Sequence, residues 1–177
     1  MVARDTLSAT AFAAAVEVTS VRVWRHAARW CQYQARKLAL EAALGAGRVD
    51  ERWLWHGTTH SALASIQANG FMREYNSAAV WGVGTYFAAR ADYSLDPHYA
   101  QPHASSRERC VLLSRVLVGE PCLGRIGMRR PDPKPGSAVL HESMVDNLAD
   151  PTVFVLSAGS DNQAYPEILI TLRYRGE

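Results

Sequence analysis

The sequence lacks several features that would assign it to large classes of protein. Cysteine is scarce, with only Cys31, Cys110 and Cys122. These three show no Cys-x-x-Cys spacing, and an odd number of cysteines cannot all pair within one chain. We interpret them as reduced thiols and expect an intracellular protein, in the cytoplasm or nucleus. No apolar run is long enough to span a bilayer, and the N-terminus lacks the basic start and uninterrupted apolar stretch of a secretory signal.

A strong charge of either sign is also missing. The formal net charge is +2, with 20% charged and 48% hydrophobic residues, a composition typical of a globular domain. This balance argues against a general nucleic-acid or membrane binder. A chain of 177 residues suits one domain with its own core. We expect that domain to span residues 21–177, and the Ala-rich residues 1–20 are a candidate flexible segment.

Familiar catalytic and cofactor motifs are absent as well. Gly82 and Gly84 match the first two glycines of G-x-G-x-x-G, but position 87 is Phe and a strand-like segment follows. Neither the Lys-Ser/Thr pair of a P-loop nor a G-x-S-x-G nucleophile elbow occurs. No compact zinc spacing is found among four central residues, His98, His103, Cys110 and Cys122. We therefore predict no metal site.

Apolar periodicity predicts helices early in the chain. A helical pattern runs from about Val21 to Gly45, where "GAG" ends it. Its predicted inward face consists of Trp24, Ala27, Ala28, Cys31, Ala35 and Leu38. Residues 52–58, "RWLWHGT", read as a short strand. Ser61 is then the predicted cap of a short helix that ends at Asn69-Gly70.

Strand patterns dominate the rest of the sequence. "GTYFA" at 84–88 predicts a buried strand, and "DYSLDPHYA" at 92–100 a helix or turn broken by Pro97. Residues 109–122 form the longest strand candidate, followed by a loop rich in Gly, Pro and Arg at 123–137. The last strands are predicted within 138–147, 151–158 and 167–174. Strands and helices do not alternate regularly, which favours an α+β fold with largely antiparallel sheets.

Five polar and aromatic residues are predicted near strand ends or turns: His56, Tyr86, Tyr93, Ser94 and Tyr99. Planar rings, a hydroxyl and exposed backbone amides suit a flat heteroaromatic ligand held by stacking and amide pairing. The alternative is that the tyrosines are half-buried core residues whose hydroxyls are satisfied internally.

Several blocks occur in the order and spacing of a known domain: "WCQYQARK", "LWHGTTHSALASIQANGF", "WGVGTYFA", "YSLDPHY", "VLLSRVLVGE" and "SMVDNLADPTVFVLSAGSDNQAYPEILIT". From about Trp24 to its end, the chain resembles the catalytic domain of the poly(ADP-ribose) polymerase family, most closely its mono-ADP-ribosyltransferase branch. The resemblance implies the ADP-ribosyltransferase fold, with two packed, mainly antiparallel sheets, flanking helices and a cleft for NAD. NAD would be the substrate, and no metal is implied.

The resemblance also implies how the nicotinamide end of NAD is held. The Gly57 backbone matches the glycine that pairs with the carboxamide, and the Ser94 hydroxyl matches the serine that contacts the same amide. Tyr86 matches the tyrosine that completes the cleft beside the ring, and Tyr99 the tyrosine that stacks on it. The leaving ring would thus be held flat while an oxocarbenium-like transition state develops.

Three further positions complete the implied NAD site. His56 matches the family histidine that hydrogen-bonds a ribose and, with Tyr86, belongs to the catalytic set. Thr58 and Arg73 match positions on the adenosine side.

The third catalytic position departs from the polymerising members, which carry a glutamate there. Alignment on "DPTVFV" gives Val153, and counting back from "DNQAYPE" gives Val155. Glu167 leads into the next strand and is not assigned the role. Valine cannot act as a base, so we predict transfer of one ADP-ribose unit to an acceptor protein, with the chain itself among the candidates. Alternatives are an NAD-binding or ADP-ribose-binding module without turnover, transfer to nucleic-acid ends through the basic loop "RIGMRRPDPK", and a peptide-binding module.

Overall fold

The computed structural model describes residues 14–72, 80–157 and 160–176 and confirms the α+β prediction. Its strands are β1 (Val16–Val23), β2 (Glu51–Thr58), β3 (Thr85–Ala88), β4 (Arg109–Leu117), β5 (Pro121–Leu123), β6 (Ser143–Val145), β7 (Val153–Leu156) and β8 (Ala164–Tyr174). Its helices are α1 (Ala27–Leu44), α2 (Leu63–Asn69) and α3 (Ala91–Ser94), with a 3₁₀ turn at His60–Ala62. Of the candidate flexible segment, residues 1–13 lie outside the described residues, and β1 begins at Val16.

The strands form one continuous sheet in the order β1-β8-β4-β2-β3-β7-β6-β5. Neighbouring strands are antiparallel except for β5 and β6, which are parallel. The two sheets that the sequence led us to expect are therefore joined edge to edge. The junction is narrow, because β2 and β3 share a single registered pair, Trp55 and Ala88. Beyond Trp55 the edge of β2 diverges from β3, and this divergence opens the cleft described below.

Helix α1 begins six residues later than the sequence predicted, at Ala27 rather than Val21. Residues 16–23 are extended because they pair with β8, and this pairing outweighs the local helical pattern. The His26 side chain caps the helix by accepting from the Arg29 amide, and the helix ends at Gly45 as predicted.

The predicted inward face of α1 is wrong. Cys31 is exposed and Leu38 is 65% exposed, whereas the buried residues are Tyr33, Leu40 and Leu44. The face is set by a polar contact that periodicity does not reveal. The Tyr33 hydroxyl donates to Glu51 Oε1 on β2 at 2.6 Å, and this contact directs the tyrosine side of the helix onto the sheet. Trp24, which precedes the helix, is buried as predicted.

The ends of α2 support one prediction and correct another. Thr59, not Ser61, caps the preceding 3₁₀ turn, because its side chain accepts from the Ala62 amide at 3.3 Å. Gly70 ends α2 as predicted, with a φ of 74° that favours glycine. The expected strand at 109–122 is divided into β4 and β5 by a turn at Gly119, so β8, with 11 residues, is the longest strand.

Two serines are fully buried in the sheet but differ in their hydrogen bonding. Ser143 Oγ donates to the Val118 carbonyl at 2.8 Å. Ser114 Oγ has no hydrogen-bond partner among the described residues, and it lies where the β4–β8 register shifts between Leu113 and Ser114. A buried hydroxyl without a partner loses its hydration and gains nothing in return.

We predict opposite effects from the same substitution at these two sites. Ser114→Ala should raise the free energy of unfolding by about 0.5–1 kcal/mol, because it removes an unsatisfied hydroxyl. Ser143→Ala should lower it by about 1 kcal/mol, because it removes a hydrogen bond. Urea denaturation followed by circular dichroism measures both values. Equal destabilisation by the two variants would contradict the assignment.

Candidate active site

A cleft of about 670 Å³ opens where β2 and β3 diverge, and α2 and α3 contribute to its walls. Its volume lies within the range usual for small-molecule sites. The described lining contains seven of the residues that the sequence singled out for a ligand site: His56, Gly57, Thr58, Tyr86, Tyr93, Ser94 and Tyr99. Residues from separate parts of the chain therefore converge on one space, which supports a ligand site over a purely structural cluster of tyrosines.

The His56 ring is fixed in one tautomer by its neighbours. Its Nδ1 lies 2.8 Å from the Tyr86 carbonyl oxygen, which can only accept, so Nδ1 carries the proton. Phe71 and Phe87 pack against the ring, with centroid distances of 4.8 and 5.5 Å. Burial lowers the pKa of His56, and the bond to the Tyr86 carbonyl only partly opposes this effect. At neutral pH the ring is therefore uncharged, and Nε2 is left as a hydrogen-bond acceptor.

Gly57 allows α3 to approach β2 closely. A Cβ atom at this position would lie 2.0 Å from the Ser94 carbonyl oxygen and 2.9 Å from Tyr99 Cβ. Any side chain would therefore push α3 and the turn after it away from the strand. Glycine here sets the spacing between the exposed edge of β2 and the Ser94 and Tyr99 side of the cleft.

Tyr86 fastens the loop that precedes β3. Its hydroxyl donates to the Gly82 carbonyl at 2.7 Å and accepts from the Trp81 amide at 3.1 Å. Burial is the main cause that raises the pKa of Tyr86, so the phenol stays protonated at neutral pH. The residue thus offers an aromatic face to the cleft while its hydroxyl is engaged by the loop.

Tyr93 lines the cleft and stacks on Tyr99. The two rings stack with centroids 5.3 Å apart and planes inclined by 20°, and their hydroxyls are 3.2 Å apart. Sequence reasoning grouped Tyr93 with the aromatic residues but gave it no role. The available signal was its position next to Ser94 and six residues before Tyr99. Ring stacking over this spacing depends on the fold of the α3 turn, which the sequence pattern did not reveal.

The other predicted site residues are not on the described cleft wall. Val153 is 3% exposed and lies in a core cluster with Cys122, Met128, Met144 and Val155. The alternative, Val155, is opposite Tyr86 in the β3–β7 pairing and is fully buried. Glu167 is held elsewhere by Arg115, whose Nε donates to it at 2.6 Å. Arg73 lies outside the described residues. No Asp or Glu occurs in the described cleft lining.

The residues tested for zinc spacing are spread over three places. His98 packs edge-on against Tyr99 at the cleft, and Cys122 Sγ accepts from the Asp132 amide. Cys110 Sγ lies 3.3 Å from His60 Nε2, and the His60 and His103 rings are 4.8 Å apart. In the described ranges no group of three His, Cys, Asp or Glu side chains is arranged to hold a metal ion. Among those same residues, no helix has the length and apolar character required to cross a membrane.

Comparison with known proteins identifies the family of the chain. The model of the poly(ADP-ribose) polymerase catalytic domain matches residues 1–133. The human protein mono-ADP-ribosyltransferase PARP14 is 38% identical over 148 residues, which are 81% of this chain and 8% of that protein. The mouse protein mono-ADP-ribosyltransferase PARP10 is 36% identical over 129 residues, which are 71% of this chain and 13% of that protein. The chain thus spans a small fraction of the length of these relatives.

A solved structure supports the fold independently. The crystal structure of the PARP domain of Arabidopsis RADICAL-INDUCED CELL DEATH1 superposes with a TM-score of 0.74 and covers 89% of this chain and 88% of its own. The sequence identity is 19%, so the likeness concerns the fold alone. The match of the family model over residues 1–133, with relatives 38% and 36% identical, shows that the chain belongs to the poly(ADP-ribose) polymerase catalytic domain family.

Proposed function

We propose that this domain transfers a single ADP-ribose unit from NAD to an acceptor and releases nicotinamide. The observation that carries the proposal is the convergence of His56, Gly57, Tyr86, Ser94 and Tyr99 on one cleft whose described lining has no carboxylate. The names of the relatives, protein mono-ADP-ribosyltransferases, agree with this product. Three free cysteines, Cys31, Cys110 and Cys122, suit a reducing compartment, and we propose the cytoplasm or nucleus.

In the proposed complex the nicotinamide ring lies between Tyr86 and Tyr99. The Gly57 backbone pairs with the carboxamide, and the Ser94 hydroxyl contacts the same amide. Two observations support this assignment. Stacking on Tyr93 braces Tyr99, and the loop contacts brace Tyr86, so both aromatic surfaces are rigid before the ligand arrives. Rigid surfaces lower the entropy cost of binding.

We assign the ribose contact to His56. Its Nε2 atom, uncharged and unprotonated, can accept a hydrogen bond from a ribose hydroxyl. An imidazolium in this position could not accept this hydrogen bond, because both of its nitrogens are protonated. Its charge would also repel the positive charge that develops on the ribose during transfer. Thr58, in the described lining, and Arg73, outside the described residues, are proposed contacts for the adenosine side.

In the proposed reaction, the bond between C1′ of the ribose and the nicotinamide nitrogen breaks. The electron pair stays on nitrogen, so the pyridinium leaves as neutral nicotinamide. A carboxylate of the acceptor then forms a bond from oxygen to C1′, and no proton has to be removed. Elongation would instead need a ribose hydroxyl to be deprotonated, and neither Val153 nor Val155 can accept that proton.

The alternatives predict different behaviour. A module that binds NAD or ADP-ribose without turnover would release no nicotinamide, and a peptide-binding module would not bind NAD at all. Transfer to nucleic-acid ends would require recognition of phosphate by the loop at 123–137. The variants below separate these outcomes.

Removing the His56 ring should damage transfer more than stability. His56→Ala should lower kcat/KM for NAD by about 30- to 100-fold, because it removes a ribose contact and the link to Tyr86. His103→Ala, a histidine absent from the described cleft lining, is the matched control and should retain activity. Nicotinamide release measured by chromatography decides the matter. Equal rates for wild type and His56→Ala would leave the binding module as the better account.

The acid limb of the pH profile should report the lowered pKa of His56. The ordinary histidine value is 6.5, and burial moves the folded-state pKa below it. The ring should therefore stay neutral, and kcat/KM should be maintained, as the pH falls to 6.5. Both activity and the contribution of this group to stability should fall only as the pH falls further, because the unfolded chain then binds more protons. An acid midpoint above 6.5 that disappears in His56→Gln would contradict the assigned tautomer.

Product length tests the role given to the valines. Incubation of the chain with labelled NAD should yield acceptors that carry one ADP-ribose per modified side chain, including sites on the chain itself. Intact and peptide mass spectrometry should show mass increments of single units at each site. Ladders of polymer would contradict the prediction.

A further inference from the structure

Residues 124–130, within the loop at 123–137, contact the segment that precedes β3. The Val83 amide donates to the Met128 carbonyl at 2.7 Å, and a Cβ on Gly124 would lie 2.2 Å from the Trp81 carbonyl oxygen. Trp81 lines the cleft and donates to the Tyr86 hydroxyl. Residues 124–130 therefore flank the cleft wall that carries Tyr86.

Half of the positive charge in and beside this loop is already neutralised. Arg125 makes a bidentate pair with Asp132, at 2.6 and 2.8 Å. Lys134 lies 3.0 Å from a Glu120 oxygen and 2.9 Å from a Glu142 oxygen. These residues are held by internal contacts and contribute little attraction for an outside ligand.

Arg129 and Arg130 differ from these neighbours. Both are exposed, and neither has an ion-pair partner within the part of the chain that the structure describes. They directly follow Met128, which is 8% exposed and packed in the core cluster that Trp81, Tyr86 and Tyr93 cover. The backbone at their N-terminal side is thus anchored, whereas their guanidinium groups face solvent beside the cleft.

We propose that Arg129 and Arg130 form a docking pair that recognises an acidic peptide segment around the modified side chain. The inference rests on the proposed function, and it specifies the acceptor. The described cleft lining offers no carboxylate to activate a hydroxyl, so an acceptor that is already anionic is favoured. Two exposed cations beside the wall that carries Tyr86 would attract such a segment and raise its local concentration near the cleft.

The same pair could meet the phosphate of a nucleic-acid end, but the surrounding surface favours a peptide. Ile126, in the same loop, is 82% exposed, and an apolar side chain contributes to peptide contacts rather than to phosphate binding. The ion pairs of Arg125 and Lys134 also leave too few free cations for an extended phosphate backbone.

The test measures peptide binding separately from chemistry. A fluorescent peptide with one glutamate flanked by aspartates is titrated with the full chain in the presence of benzamide and read by fluorescence anisotropy. The variant is Arg129→Gln with Arg130→Gln. The matched control is Arg22→Gln with Arg25→Gln, two exposed arginines at the β1 side that cause the same loss of charge.

The double variant at 129 and 130 should weaken peptide binding about 5- to 20-fold, as expected for two exposed charge contacts. The control should bind like wild type, and about 0.5 M salt should remove the difference between variant and wild type. A peptide with asparagine in place of the flanking aspartates should bind wild type and variant equally.

Three results would overturn the inference: equal weakening by the control pair, unchanged binding by the variant, or tighter binding of a 5′-phosphorylated oligonucleotide that depends on the same arginines. Nicotinamide release to water and the thermal shift with benzamide should be unchanged in the variant. If wild type neither released nicotinamide nor showed a thermal shift with benzamide, the proposed function would be refuted instead. Failure of the docking pair and failure of the proposed function are therefore distinguishable.

Discussion

The hydrogen bond between His56 Nδ1 and the Tyr86 carbonyl is the contact on which the site depends. It spans β2 and β3, the two strands that share only the Trp55–Ala88 pair. It adds a polar link to the apolar cluster of Leu54, Phe87 and Phe154, which also joins the two halves of the sheet. The same bond sets the histidine tautomer, and burial keeps the ring neutral. One contact thus links the architecture of the sheet to the chemistry available at Nε2.

The aromatic residues and backbone segments around the cleft are held in place by close contacts within the protein. Gly57 lets the Ser94 backbone approach β2, and the Tyr93 ring supports Tyr99. The loop before β3 is tied down by the Tyr86 hydroxyl. Because the site is already ordered, little binding free energy is lost in ordering it, and more of that energy can stabilise the transition state.

Much of the cleft could be predicted from the sequence because its residues lie in short local motifs. "HGT" ends a strand and "GTYFA" forms one, and both strands form at the predicted positions. The features that were missed depend on contacts between distant segments. The inward face of α1 follows from Tyr33 and Glu51, and the pairing of β1 with β8 overrides the helical pattern that was predicted to begin at Val21. Likewise, the loop at 123–137 appears strongly basic in sequence, but ion pairs with Asp132, Glu120 and Glu142 leave only part of that charge free.

The central claim is that the cleft holds NAD by its nicotinamide end, against Tyr99 and the edge of β2. Isothermal titration calorimetry of the full chain with NAD, repeated at saturating benzamide, tests this claim most directly. The account predicts one NAD per chain, competition by benzamide, and loss of both ligands in Tyr99→Ala while the fold is retained. NAD binding that benzamide does not displace, or that survives unchanged in Tyr99→Ala, would contradict it.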